Sequence, residues 1–256
     1  MQVRETLTTQ RVRTLALAGV ATFFGLWCAL TYGGVVPAII LPPPSAVLRA
    51  FPVLHFEEAL VRSAFWSLYR VSMGFLLATL VAIPLGIVMG TFPQIKAFFA
   101  PILDPLRFLP ISALVPLTIV WFGIEETQKV VFLFLGTVVY LLPLVVEAVE
   151  QVDEVYLQTA TTLGASRSQL IRHVLIPGSL PAISEALRVM NGIGWTYVIL
   201  AEVINAPYGL GALITVAGKR SHVDQMFALV IVILIIGVVT DQIIRLVNKS
   251  LFTWKS

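Results

Sequence analysis

The side chains of this chain that could do chemistry are few and scattered. His55, His173 and His222 lie far apart in sequence, and nothing near them pairs a nucleophile with a base. No glycine-rich stretch ends in the lysine and hydroxyl that cradle a nucleotide phosphate, so ATP chemistry is not expected on this chain. Cys28 stands alone in an apolar run, which gives neither an internal disulfide nor a metal cluster. What remains is charge embedded in apolar sequence: Arg70, Arg107, Arg188 and Glu202, with Asp104, Glu185 and Asp241. A charge in hydrocarbon is costly, so each is either a structural pair or part of a solute path or gate. Asp104 with Arg107, and Glu185 with Arg188, are spaced to pair on one helix face, and structural pairing is the favoured reading for both. Asp241, four residues before Arg245, reads as structural. Arg70 has no acidic neighbour in sequence, and Glu202 stands near the end of a span, where a gate-stabilising role and a solute contact compete. Trp66, Trp121 and Trp195 read as interfacial or packing residues rather than a solute cage.

The elements that must hold these charges are membrane helices. The chain has 256 residues, 58% hydrophobic and 12% charged, where an ordinary soluble domain is roughly 25% charged. Its mean hydropathy of +0.92 excludes a soluble globular protein, and the continuous apolar runs favour helices over a barrel's alternation. The fold class expected is an all-α polytopic membrane protein with six transmembrane helices. The spans are placed at about Thr14–Tyr32, Ser63–Thr91, Phe98–Gly123, Val130–Val149, Leu180–Val203 and Gln225–Leu246. Gly33 and Gly34 end the first, and three prolines delay the next helix until Ser45 can cap it. Pro101, Pro105, Pro110 and Pro116 should bend the third. Brief outer loops are expected around Glu125, Glu126 and Lys129, and again at Pro207, Gly209, Gly211, Lys219 and Arg220. Three regions follow: a tail, first helix and linker over 1–58, the membrane domain over 59–246, and a tail over 247–256.

Charge counting orients the chain. With the N-terminus inside, inner segments carry Arg4, Arg11, Arg13, Lys96, Arg167, Arg172, Arg245, Lys249 and Lys255, while outer segments carry Arg49, Arg62, Lys129, Lys219 and Arg220. Nine against five favours both termini in the cytoplasm of an inner-membrane protein.

The same orientation puts the polar stretch 151–177, QVDEVYLQTATTLGASRSQLIRHVLIP, in the cytoplasm. Val152, Val155, Tyr156, Ala160 and Leu163 recur at helical spacing, so one short helix presents an apolar face. Gly164 stands where a left-handed cap belongs, and Ser166 with Gln169 forms a capping box for a second helix. That helix carries Leu170, Ile171, Val174 and Leu175 on one side and Arg167, Arg172 and His173 on the other, with Pro177 expected to close it. The bland reading of such a segment is a connector lying on the bilayer surface.

The spacing argues for more than a connector. A glycine ten residues before an aliphatic-x-aliphatic-Pro ending, here Gly164 before Val174, Leu175, Ile176 and Pro177, resembles the EAA loop of ABC importer permeases. Gln158 and Thr159 replace that family's usual Glu and Ala, while Ala160 agrees. LPPPSAVLRAF, SLYRVSMGF, IPLGIVMG, LDPLRFLPISALVPLTIVWFGI and AEVINAPYGLGALI extend the resemblance across nearly the whole chain. They are similar to the branch serving nitrate, bicarbonate, sulfonates and taurine. The resemblance implies a type I importer permease, itself not an enzyme and without a cofactor. It implies a second permease copy, cytoplasmic ATPase subunits, a periplasmic or lipid-anchored solute-binding protein and surrounding lipid as partners, and no nucleic acid. It makes 151–177 the coupling loop, with Val155, Tyr156, Ala160, Leu163, Gly164 and Ala165 shaping the docked elbow and Pro177 ending it. Gln158, Thr161, Ser166 and Arg167 would supply rim contacts. Glu202, Arg188, Arg107 and Arg70 are the pathway or gate candidates for a small anionic solute. The alternatives are a different solute, such as a vitamin precursor, or an ion-coupled secondary transporter.

Overall fold

A computed structural model of the protein describes residues 8–204 and 206–253. Among the described residues all regular structure is helical. In chain order the helices are α1 (Thr9–Tyr32), α2 (Pro44–Phe56), α3 (Leu60–Thr91), α4 (Pro93–Leu106) and α5 (Leu114–Phe122). They continue with α6 (Glu126–Glu150), α7 (Glu154–Thr162), α8 (Arg167–Leu170), α9 (Ile176–Val203), α10 (Leu210–Lys219) and α11 (Val223–Leu251).

Two compact units divide the chain: residues 1–60 with 214–231, and residues 61–213 with 232–256. In the first, α1 has no fully buried residue and ends at Gly33 and at Gly34, whose φ of +71° suits a residue without Cβ. Trp27 ties α1 to the proline run by donating from Nε1 to Pro42 O at 3.0 Å, and its ring lies 6.3 Å from that of Phe227. Arg220 pairs with Glu58. The helix α2 begins two residues earlier than expected, with Pro43 rather than Ser45 at the N-cap and Pro44 in the first turn. A proline fits there because the first-turn N–H has no helical partner to lose. Ser45 is therefore inside the helix, where its hydroxyl meets Tyr32 Oη at 2.8 Å.

The second unit is built around α6. One core joins Ala82 and Met89 of α3 to Leu141, Leu142, Val145 and Val146 of α6 and to Ile183 and Met190 of α9. Another joins Val71, Ile111, Val115, Phe132, Leu133, Trp195, Val198 and Ala201. The close approach of α3 to α6 follows from small residues on one face of α3. A Cβ at Gly74 would stand 2.6 Å from Leu133 Cβ, at Gly86 2.6 Å from Val145 Cγ1, and at Gly90 2.7 Å from Val149 Cβ. Lipid tails are as apolar as these side chains, so association between the helices depends on such packing. Gly74→Val is expected to cost about 1–3 kcal/mol, the range for overpacking, because Val130 O and Phe134 N also close on that site at 3.1 Å and cannot retreat like a side chain. Thermal unfolding of the detergent-purified protein checks this, and an unchanged midpoint would rule it out.

Among the described residues four helices can cross a bilayer by length and composition, α1, α3, α6 and α11, and a fifth crossing follows if α4 and residues 111–122 count as one. That pair bends by 82°, once, at Arg107–Pro110, where the residue before a proline is driven out of the helical region. The four prolines make one break in the helix: Pro101 and Pro105 lie within α4, and Pro116 within the first turn of α5. The helix α9 has the length of a span but carries Glu185, Arg188, Asn191 and Glu202, which lower its hydropathy.

The two loops expected on the outer side are shorter than the sequence suggests. Glu126 and Lys129 are helical residues of α6, with Lys129 buried, and Gly211 to Lys219 lie in α10. In both places the apolar residues that follow continue the helical spacing, so the helix starts earlier than the charges suggest.

Candidate functional site

The segment 151–177 folds as an elbow. Asp153 caps α7 by accepting from Val155 N at 2.9 Å. At the far end Gly164 N donates to Thr161 O at 2.9 Å and Ala165 N to Ala160 O at 3.0 Å, a Schellman closure. It requires the left-handed backbone that Gly164 adopts at φ +85°. Ser166 and Gln169 then form the capping box of α8, with Ser166 N donating to Gln169 Oε1 at 2.7 Å. The apolar face stands open: Val155 is 61% exposed, Tyr156 64% and Leu163 83%. Tyr156, Ala160 and Leu163 line a groove of about 490 Å³ with Val174 and Pro177. Gln158 is exposed on α7.

Val152 and Pro177 depart from the expectation, and Thr161 and Arg167 make contacts within the chain. Val152 precedes α7 and packs toward Gly178, where a Cβ would meet it at 3.1 Å, so it belongs to the elbow's anchor and not to its open face. Thr161 spends its hydroxyl proton on Leu157 O at 2.7 Å, which leaves only its lone pairs for a rim contact. The Arg167 guanidinium lies 5.7 Å from the Phe92 ring centre. Pro177 does not close the second helix. A π-helical turn over Ile171–Leu175 leads straight into α9, and Pro177 lies in the first turn of α9. The wider π turn makes room for a ring that would collide with the carbonyl four residues back.

The intramembrane charges separate into three groups. Arg107 and Asp104 do not pair among the described residues; Arg107 stands 5.2 Å from the Phe108 ring centre and is exposed at the α4 bend. Arg188 joins Glu185 at 2.9 Å and Asp241 of α11 at 2.6 Å. Thr240 next to it meets Asn191 Nδ2 at 3.1 Å and Trp195 Nε1 at 3.2 Å.

Arg70 and Glu202 come together, 132 residues apart, with both side chains wholly buried. Arg70 Nη1 donates to Glu202 Oε1 and to Tyr208 O, each at 2.7 Å. On its other edge Nε and Nη2 grip Glu126 at 2.6 and 2.7 Å, the paired geometry that makes arginine–carboxylate contacts strong. Glu202 also takes Ser67 Oγ at 2.8 Å and Gly211 N at 2.8 Å, while Ser67 Oγ accepts from Leu210 N at 2.9 Å. Three helices and the turn before α10 are thus pinned by one guanidinium. Gly209 is forced by this packing: its φ is +147°, and a Cβ would lie 2.5 Å from Glu202 Cδ and 2.8 Å from Arg70 Nη1. Sequence reasoning found Arg70 and Glu202 but missed Glu126 and Ser67. The available signal was that Glu126 and Glu202 sit at the ends of spans, while Arg70 lacks a local partner.

The model of the family described as "Binding-protein-dependent transport system inner membrane component" matches residues 82–253. The chain belongs to that family. It is a multi-pass inner-membrane permease of the ABC importer class, whose ATPase and solute-binding protein are separate subunits. The taurine transport system permease protein TauC of Escherichia coli (strain K12) is 31% identical over 94% of this chain and 90% of its own length. The bicarbonate transport system permease protein CmpB of Synechococcus elongatus is 29% identical over 92% of this chain and 88% of its own. An inward-facing structure of the MetNI methionine ABC transporter superposes with a TM-score of 0.62 at 18% identity, covering 77% of this chain and 96% of that one. That likeness concerns the fold. The ion-coupled secondary transporter considered as an alternative gains nothing from these relatives.

Proposed function

We propose that two copies of this permease form the pathway for a small anionic solute of the sulfonate, taurine, bicarbonate or nitrate class. The pathway has six crossings per copy and both termini in the cytoplasm, with lipid around it. The observation that carries the reading is the elbow: three apolar side chains exposed on a helix locked at both ends. Such a face fits a groove on an ATPase subunit in the helix-in-groove manner. Because α8 continues through the π turn into α9, a push on α7 that passes the hydrogen-bonded Gly164 turn reaches a membrane helix. ATP-dependent closure of the ATPase pair would then bias the bundle between inward-facing and outward-facing states. The relatives named for taurine and bicarbonate support the solute class.

The test is reconstitution with ATPase and binding protein in proteoliposomes. ATP-driven uptake is measured for taurine, an alkanesulfonate, bicarbonate and nitrate; absence of uptake for all four defeats the solute assignment. Uptake that persists after the ATPase is removed defeats the coupling. A Tyr156→Asp/Leu163→Asp double variant should lose ATPase co-purification and most uptake, while keeping its unfolding midpoint because both side chains are exposed.

A further inference from the structure

At the end of α6 where it meets Arg70, four charges are packed together, and one of them is left without an opposite charge. Arg70 serves two carboxylates. Glu202 is wholly buried and committed to Ser67, Arg70 and Gly211 N. Glu126 is different, with 35% of its side chain exposed. One turn further on, Lys129 is only 1% exposed. Its Nζ donates to two main-chain carbonyls, Ile124 O at 2.7 Å and Glu125 O at 3.3 Å. It has no carboxylate within ion-pair distance among the described residues. A buried ammonium satisfied only by carbonyl dipoles is an expensive arrangement. Glu126 lies three residues before Lys129 on the same helix, the spacing at which side chains meet. A cleft of about 270 Å³ bordered by Glu125, Glu126, Lys129 and Pro207 opens beside them. Glu125 is exposed and stays solvated there.

We propose that the Nε–Nη2 edge of Arg70 is an oxyanion-binding site for the transported solute, held shut by Glu126 acting as an internal stand-in. A sulfonate, carboxylate or bicarbonate offers the same two oxygens that Glu126 presents to that edge. When the solute takes them, Glu126 turns into the cleft and pairs with Lys129. No cation is then left without an opposite charge: Arg70 keeps Glu202 and gains the solute in place of Glu126, and Lys129 gains Glu126. No helix need separate, which suits the tight α3–α6 packing at Gly74. The proposal rests on the anionic solute class given above.

Two single variants and their combination test it, in the permease–ATPase complex without binding protein. Ethanesulfonate is the probe, and the readout is the concentration that half-saturates a thermal shift. Glu126→Gln removes the competing charge and should tighten binding about tenfold, equivalent to ~1.4 kcal/mol. Lys129→Met leaves Arg70–Glu126 untouched but removes the alternative partner, so it should weaken binding by a similar factor. The double variant should bind like Glu126→Gln, because the stand-in no longer needs a new partner. A purely structural ion pair would not produce that recovery. Equal half-saturation in all four proteins overturns the site, as does a double variant as weak as Lys129→Met. If ATP-driven uptake with binding protein continues in wild type while these shifts are absent, this site falls and the permease reading stands. If uptake of every anion is absent, the solute class itself has failed.

Discussion

Glu202→Ala is expected to cost on the order of 3–5 kcal/mol, the penalty for leaving one member of a buried ion pair behind. The substitution strips Arg70 of one carboxylate and leaves the Gly211 N–H without its acceptor. It also frees Ser67 Oγ, which holds Leu210 N. The damage therefore extends from the α3–α9 contact to the start of α10. From the sequence, Glu202 could stand at a gate, so that its loss would reduce uptake and leave assembly intact. Its complete burial makes stability the first quantity to change. Thermal unfolding in detergent reads the effect directly, with Glu202→Gln as a milder comparison that keeps the shape and one acceptor oxygen. A midpoint within a degree of wild type for the alanine variant would show that the cluster contributes nothing.

Gly164→Val tests the other end of the machine and should act by a different route. A Cβ at Gly164 meets nothing within 4 Å, so no packing is disturbed. The cost comes from φ +85°, a left-handed conformation that burdens an ordinary L-residue by roughly 1–2 kcal/mol and a β-branched one by more. The least expensive escape is to open the Schellman turn, which swings α7 and its exposed Tyr156 and Leu163 away from their present direction. Uptake should fall by more than tenfold, as expected when a docking element is misplaced by an ångström or more. The unfolding midpoint should change little. Gly164→Asn, which tolerates the left-handed region, should keep most activity. Equal uptake in the valine and wild-type proteins would remove the elbow's angle from the mechanism.

Much of the elbow was legible in sequence because its determinants are local. A capping box needs Ser166 three from Gln169, and a left-handed turn needs one glycine; the Asp153 cap on Val155 N is equally local but was seen only in the structure. The fate of Pro177 was not legible. Whether a proline ends a helix or sits behind a π turn depends on whether the chain beyond it is held in line, and α9 is held by its packing on α6. Charge spacing misled for a related reason. Asp104 and Arg107 have the right separation, but Arg107 is the C-cap just past Leu106, and its guanidinium lies by the Phe108 ring instead.

The sequence by itself determined the class of protein. Composition demanded a membrane, apolar runs of helix length filled it, and the polar interruption at 151–177 marked where another subunit could take hold. These follow from periodicity and local capping, which act over a few residues. Tertiary structure alone decided the partners of the buried charges. Arg70 finds Glu126 across 56 residues and Glu202 across 132. No local rule selects one distant carboxylate over another. The selection is made by the close approach of α3, α6 and α9, which buries Arg70 with Glu202 and leaves Lys129 without a carboxylate at ion-pair distance among the described residues.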